Sequence, residues 1–335
     1  MSILESDIIV YGSASMPDDD TPTGIGGAID TSIRVAFEDM APSGNVQIVS
    51  SAAGDTTQTV TPYGRDAAGN LINEGKTLSG VTPVAMTTNT TWERLLKGTK
   101  SATTTGDVAI EAVTATRSST AQGGADETTS VMAYITLDAG ASASDDEYNG
   151  AVLRLTSGTG SGQIRRIIDY DGTTKRAYVN IDWGTTPDGT TGFKISDGMV
   201  FDKTPNEVSE VRRPFYNASA EASGGSNRSY YEKVFFENTH ATLALTAATI
   251  AEQADPSTLV DFALESSLDG TDTNGAGDRQ THTGGYTFNS TTKNVANSQS
   301  HTAGAGQGVW LRLTLNAGEA ANNTTVTMRE SGQTT

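Results

Sequence analysis

The sequence contains no cysteine and few basic residues. Its 335 residues include 22 Lys and Arg against 40 Asp and Glu, which gives a formal net charge of −18. The absence of cysteine excludes a disulfide framework and a thiolate metal site. The negative charge disfavours a protein that coats nucleic acid or an anionic membrane, because a basic surface must neutralise the phosphates of both. We therefore expect no specific nucleic-acid binding and no membrane partner.

Long apolar segments are also missing. No stretch approaches the roughly 18 apolar residues of a membrane-spanning helix. The first five residues, Met1 to Glu5, carry neither the basic segment nor the apolar run of a signal peptide. These absences predict a chain that is made in the cytoplasm and stays soluble until it assembles.

What the sequence does have is Thr, Ser and Gly between short alternating segments. Val309 to Leu315 shows this alternation most clearly, with apolar residues at every second position. Thr is β-branched and suits a half-exposed sheet surface. The pattern predicts an all-β fold with two or three small β-sandwich or β-barrel domains, long Gly/Thr-rich loops and at most short helices. One such helix is predicted at Trp92 to Lys97, ended by Gly98.

Changes in pattern along the chain predict three domains. Residues 1–110 are interpreted as an N-terminal β-sandwich, residues 111–205 as a small inserted β-barrel-like domain, and residues 206–335 as a C-terminal β-sandwich. A short similarity between residues 34–39 (RVAFED) and residues 233–238 (KVFFEN) suggests that the first and third domains are duplicates. In that case the second domain is an insertion between them.

No motif predicts catalysis. The glycine run Gly158 to Gly162 lacks the helix that a phosphate-binding loop needs after it, so we interpret it as a turn. No Gly-x-Ser-x-Gly element occurs, and no Ser-His-Asp set can be defended. Paired carboxylates for glycoside cleavage remain an open alternative, since their spacing in a β fold is not visible in sequence. We predict a protein that is not an enzyme, with no catalytic, cofactor-binding or metal-binding residues and no cofactor.

The remaining ionisable residues have two interpretations each. The three histidines are interpreted as surface residues, because none has metal-ligand spacing. The acidic residues between positions 269 and 278 are interpreted as a solvated loop, with a weak cation site as the alternative, because calcium-loop spacing is incomplete. Two adjacent basic pairs are interpreted as ion-pair partners of acids. These residues are His240, His282 and His301; Asp269, Asp272, Asn274 and Asp278; and Arg165, Arg166, Arg212 and Arg213.

Two stretches resemble known proteins. Residues 148–170 (YNGAVLRLTSGTGSGQIRRIIDY), with Trp183 and Pro187-Asp188, resemble a module that recurs in phage virion proteins. Residues 10–19 (VYGSASMPDD), 26–30 (GGAID) and 64–69 (GRDAAG) are similar to structural proteins of tailed phages, some of them from Mu-like genomes. The resemblance implies a structural component of a tailed bacteriophage virion and brings no catalytic residues with it.

This resemblance leaves the position within the particle open. The first expectation is the major tail tube protein, which stacks in rings around an acidic channel so that DNA slides without adhering. A capsid decoration protein that clamps the head shell is the alternative, and a distal tail protein or glycan-binding adhesin is the third. In each case the expected location is the virion, assembled in the host bacterial cytoplasm. The expected partners are copies of the chain itself, in a ring or trimer, and other virion proteins.

Overall fold

A computed structural model describes residues 2–18, 24–216, 226–274, 279–282, 284–318 and 326–334. The predicted all-β class is confirmed, since almost every regular element in these residues is a strand. Helical structure in the described part is limited to a 3-10 turn, Glu5–Asp7, and to one short segment, Ala296–Gln299, whose φ is positive at three residues. No helix in the same part is long and apolar enough to cross a membrane.

The chain divides into two compact units. Unit 1 consists mainly of residues 36–213, and unit 2 consists of residues 7–35 together with residues 214–335. This division differs from the domains predicted at 1–110, 111–205 and 206–335. The physical reason is strand pairing, because the first strand of the sequence is hydrogen-bonded to a strand that lies more than 200 residues further along. The two units therefore do not correspond to the first and third domains that were predicted to be duplicates.

Unit 1 contains two open sheets and one closed one, with strands numbered in chain order. The first open sheet runs β18 (Glu210–Arg212), β8 (Arg94–Lys100), β4 (Thr59–Arg65) and β5 (Leu71–Asn73), and β6 (Lys76–Thr77) also pairs with β4. The second runs β17 (Gly198–Phe201), β9 (Val108–Ala112), β3 (Val46–Ser50) and β7 (Val84–Ala85). All five residues of β9 are buried, as expected for a strand that is covered on both faces.

The third sheet of unit 1 closes on itself. It runs β10 (Arg117–Thr120), β16 (Gly192–Ser196), β13 (Val152–Ser157), β14 (Ile164–Asp171), β15 (Arg176–Val179), β12 (Tyr134–Thr136) and β11 (Gly123–Ala125). β10 and β11 are separated by only two residues, and they pair with β16 and β12 at opposite ends of this order. One extended segment therefore joins the two edges and makes a barrel. Its interior is filled by apolar side chains that include Leu153, Ile167 and Ile195.

The barrel is an insertion between neighbouring strands. β9 leads into it and β17 leaves it, and these two strands pair antiparallel with Gly198 opposite Glu111. Its outer surface packs on the second sheet of unit 1 through a small apolar cluster that contains Val49, Val152 and Ile164. Every strand of the barrel lies within the predicted range 111–205, although the domain boundaries themselves stay a prediction.

Unit 2 contains two sheets. The larger runs β21 (Val260–Leu268), β23 (Gly306–Leu315), β19 (Arg228–Asn238), β1 (Ile8–Ser15) and β2 (Gly26–Arg34). The smaller runs β22 (Lys293–Asn294), β20 (Leu245–Ala254) and β24 (Thr327–Thr334). The longest ladder joins β19 to β23 over ten residue pairs, from Arg228–Leu315 to Glu237–Gly306. It builds the centre of the unit around Trp310, which is fully buried.

Two local predictions are wrong. The predicted helix at Trp92 to Lys97 is largely strand β8, because its backbone pairs with β4 and β18 and this pairing overrides local propensity. The similarity between residues 34–39 and 233–238 joins unlike elements, since the second stretch lies inside β19 and only Arg34 of the first lies in a strand.

Candidate functional site: buried charge pairs and an exposed strand edge

The surface interpretation is wrong for His301. Its side chain is fully buried, Nδ1 lies 2.6 Å from Glu330 Oε1, and Nε2 lies 2.8 Å from the carbonyl oxygen of Ala305. A carbonyl oxygen can only accept, so Nε2 carries a proton. The partnership with Glu330 then raises the pKa of His301 against the opposing effect of burial. The pair is therefore a short contact between two fully buried side chains.

This pair attaches one strand to the rest of unit 2. Glu330 lies on β24 and His301 lies on the opposite flank of β20, where its backbone forms a bridge with Leu245. None of the described residues of β24 belongs to the buried apolar core. We therefore infer that the backbone ladder to β20 and the contact between Glu330 and His301 hold the strand in place.

A second buried pair was not visible in the sequence. Lys233 Nζ lies 2.6 Å from Glu265 Oε1, and both side chains are shielded from solvent. Three backbone carbonyl oxygens complete an oxygen cage around the ammonium group, those of Gly27 at 2.7 Å, Gly270 at 3.0 Å and Asp272 at 3.2 Å. Burial lowers the pKa of Lys233 and raises the pKa of Glu265, while their mutual hydrogen bond opposes both shifts. The cage ties β2 and the loop after β21 to the middle of β19.

His282 is enclosed in an aromatic cluster. Its ring centre lies 4.7 Å from that of Trp310, 5.2 Å from Tyr231, 5.3 Å from Tyr286 and 5.4 Å from Phe288. Its Nδ1 accepts a hydrogen bond from the Gly284 amide, and burial lowers the pKa of the imidazole. A neutral ring that packs among aromatic side chains is consistent with a structural part of the core.

His240 has a local role. Its Nδ1 accepts hydrogen bonds from the backbone amides of Thr242 at 3.1 Å and Leu243 at 2.9 Å. The half-buried imidazole therefore caps the turn between β19 and β20. Nδ1 is therefore used as an acceptor within this turn.

The described side chains of the acidic loop after β21 each have a separate hydrogen-bond partner. The Asp269 carboxylate accepts from the Gly306 amide, and the Asp272 carboxylate accepts from the Tyr286 hydroxyl. The Asn274 side chain donates to the carbonyl oxygen of Thr281. Asp278 lies outside the described residues. The three described side chains thus serve separate intramolecular hydrogen bonds, and the alternative of a weak cation site stays a prediction.

Glu38 carries a carboxyl group of unit 1 with a strongly raised pKa. It lies between β2 and β3 and bridges Gly198 through its backbone. Burial, followed by the charges of Asp197 and Asp39, raises its pKa from 4.5 to about 7. The neighbouring Asp39 forms an ion pair with Arg94, whose Nε lies 2.5 Å from its carboxylate. Glu38 is therefore a group whose charge changes close to neutral pH.

The interpretation of the basic residues as ion-pair partners is confirmed at three positions. Arg165 Nη1 lies 3.1 Å from Asp107, Arg212 Nη1 lies 3.2 Å from Glu210, and Arg213 Nη1 lies 3.8 Å from Asp39. Arg165 also donates to the carbonyl oxygens of Ile181 and Asp182. These contacts pair the charges of three basic residues of unit 1 with carboxylates.

The glycine run is a turn, as predicted. Gly158, Gly160 and Gly162 all have positive φ, and the run connects β13 to β14 within the barrel. The Gln163 side chain fastens it by donating to the carbonyl oxygens of Gly160 at 3.1 Å and Thr185 at 2.7 Å. No helix follows to present a phosphate site.

β24 presents the most exposed long strand edge in the described part of the chain. Five of its eight residues are exposed, and its ladder partner is β20 alone. An unpaired strand edge carries a row of backbone donors and acceptors and is a template for another strand. Among the described residues, no group of three His, Asp or Glu side chains is placed to hold a metal ion.

Comparison with known proteins adds no relative. No family model, curated protein or solved structure matches the chain. The features that a function must use are therefore those of this molecule alone: an all-β chain of net charge −18, a closed barrel inserted in unit 1, and a polar, exposed strand at the edge of unit 2.

Proposed function

We propose that the protein is a non-enzymatic structural component of a tailed bacteriophage virion, which acts by docking to copies of itself and to other virion proteins. The observation that carries the proposal is the edge strand β24, which is polar, exposed and paired on one side only. Strand edges of this kind support association by addition of a strand from another chain. The sequence resemblance of residues 148–170 to a phage virion module supports the same conclusion.

Within the virion, the major tail tube is the position that we propose first. A tube must let DNA pass without holding it, and a chain with 40 acidic and 22 basic residues supplies the repulsion that this needs. Much of the positive charge of unit 1 is already consumed internally. Arg165, Arg212 and Arg213 each pair with a carboxylate, as does Lys194, which reaches the buried Glu111. The excess of acidic over basic residues, a net charge of −18, remains after such one-to-one pairing.

A specific observation favours capsid decoration as the second candidate. A tail tube ring could be built from six domains supplied by only three copies of the chain. Each chain would then need two sister domains. Units 1 and 2 differ in their sheets, since unit 1 holds a closed barrel and two open sheets while unit 2 holds two open sheets. A decoration protein does not need internal duplication, so the lack of matching units weakens the case for a three-copy tube.

Electron microscopy of the purified protein tests the proposal. Negatively stained samples are imaged over a range of protein concentrations, and their masses are followed by sedimentation velocity. Hollow rings or tubes are expected for a tail tube protein. A compact trimer that binds assembled heads but not free tails would support the capsid decoration role and contradict the tail tube role.

Two further outcomes would overturn the proposal as a whole. One is a protein that stays monomeric at every concentration and binds neither heads nor tails. The other is turnover of a bacterial polysaccharide, which would contradict the non-enzymatic role. Saturable binding to that polysaccharide without turnover would instead move the protein to a distal tail or adhesin position.

A further inference from the structure

The smaller sheet of unit 2 offers both halves of an intermolecular contact. β20 is bordered on one flank by β22 and by the bridge to His301, and on the other flank by β24. The β20–β24 ladder extends from Leu245–Thr334 to Ala254–Thr327, and its register shifts after Thr246 and again after Glu252. If β24 leaves, the flank of β20 is a template that only a strand with this register fits. Each copy of the chain carries such a strand.

We propose that β24 is exchanged between copies of this chain, so that the β24 of one copy pairs with the β20 of its neighbour. The inference rests on the proposed self-assembly and names the segment that performs it. Its partner is a second copy, because the fitted occupant of the β20 flank is a strand of the same sequence.

The distribution of apolar contacts makes β24 separable. Its alternation leaves only Met328, Glu330 and Thr334 half-buried, while Ile250 of β20, which lies opposite Glu330, belongs to the core. The cost of removing β24 is therefore mostly the cost of its backbone hydrogen bonds and of one buried charge pair. Exchange restores all of these contacts in the neighbour, so the net change in contact energy is close to zero.

The buried charge pair determines where the exchanged strand must lie. Glu330 is positioned by His301, which is itself held through its backbone to Leu245 of β20. Two further acidic residues interact electrostatically with His301: Glu237 on β19 and Asp269 before β23. Asp269 and Glu237 also repel each other. An incoming strand shifted by one residue would turn its glutamate to the other face, away from the imidazole.

The connection to β24 is long enough for exchange. Eleven residues, 316–326, separate the end of β23 from the start of β24. A chain of this length, fully extended, reaches about 36 Å at roughly 3.3 Å per residue. A neighbouring β20 within that distance can be paired without any change in the rest of unit 2.

A pair of introduced cysteines tests the exchange. Ala251 and Arg329 lie directly opposite each other in the β20–β24 ladder, and the natural chain has no cysteine to interfere. The A251C/R329C variant is allowed to assemble, oxidised and run on a non-reducing denaturing gel. Exchange predicts covalent dimers or longer ladders, because each disulfide then joins two copies. Monomers alone, each with an internal disulfide, in a sample that is nonetheless oligomeric would overturn the inference.

A matched variant supplies the control. Ser229 and Thr314 lie opposite each other in the central β19–β23 ladder, so S229C/T314C should give internal disulfides in the same oligomers. If A251C/R329C does not fold, T246C/Q333C reports on the same strand pair. Oligomers with internal disulfides would refute strand exchange and leave the proposed function standing. The absence of any oligomer in the natural protein would refute both.

Discussion

Lys233 and Glu265 lie 32 residues apart in the sequence, but Lys233 Nζ lies 2.6 Å from Glu265 Oε1 in the fold, and both side chains are buried. A buried ion pair is costly to form and costly to break, because removal of one partner leaves the other charge without compensation. The conformation of the loop after β21 therefore depends on a side chain in the middle of β19.

Replacement of Lys233 should therefore destabilise unit 2 strongly. We expect Lys233→Met to lower the free energy of unfolding by about 3–5 kcal/mol, since it strands the Glu265 carboxylate and removes the donor to three carbonyl oxygens. Urea denaturation followed by tryptophan fluorescence measures the change. Lys203→Met is the control, because the Lys203 side chain is 38% exposed and its pair with Glu207 should contribute about 0–1 kcal/mol. Equal effects of the two substitutions would contradict this account.

The pair of His301 and Glu330 should make stability depend on pH. The folded pKa of His301 is raised, so its contribution is fully present below the unfolded pKa of about 6.5 and is lost as pH rises through the folded pKa. We expect the stability difference between the natural protein and His301→Gln to be largest near pH 6 and to shrink in more alkaline solution. Urea titrations at several pH values measure this difference. A difference that stays constant with pH would show that no proton is bound in the pair.

Glu38 should likewise make the protein less stable as the pH rises, because its folded pKa is also raised. Its pKa is raised to about 7, so the folded protein binds a proton that the unfolded chain releases near 4.5, and stability falls as pH rises between these values. Glu38→Gln should therefore stabilise the protein at pH 8 by about 1–2 kcal/mol after allowance for solvent screening, with little effect at pH 4. Glu93→Gln, at an exposed position, is the matched control and should stay within about 0.5 kcal/mol. Destabilisation by Glu38→Gln at pH 8 would count against the raised pKa.

The closed barrel should fold without the rest of the chain. Its strands lie within residues 117–196, its edges are joined by one continuous segment, and its core is its own. We expect residues 113–197 to give a β-type circular dichroism spectrum and a cooperative thermal transition. Lys194 and Arg154 lose their partner Glu111 in this fragment, but they also lose the burial that makes the partner necessary. A fragment without a cooperative transition would show that the barrel depends on the sheet beneath it.

The alternating pattern located one central strand of unit 2. The segment from Val309 to Leu315 was predicted as a strand, and it forms all of β23 except the first three residues. Prediction failed at Trp92 to Lys97, where short-range pattern favours a helix and pairing with distant strands decides otherwise. Alternation reports local burial and carries no information about which strands become neighbours.

The candidate site was less accessible to prediction. His301 and Glu330 are 29 residues apart, and three of the four oxygens around Lys233 belong to the backbone, which has no sequence signature. The best available signal was Lys233 itself, a charge that directly precedes the apolar residues Val234 to Phe236. A charge beside apolar residues in the interior of a strand indicates a buried partner, but the identity of that partner depends on the tertiary fold.

Immunogold labelling tests the central claim most directly. An antibody raised against the purified chain is applied to intact phage particles from a culture of the bacterium that carries the gene, and to particles of a phage that lacks it. The account predicts gold on the virion, along the tail if the protein builds the tube and over the head if it decorates the capsid. Particles that carry no more gold than the control phage, together with absence of the chain from their peptide mass spectra, would contradict the account.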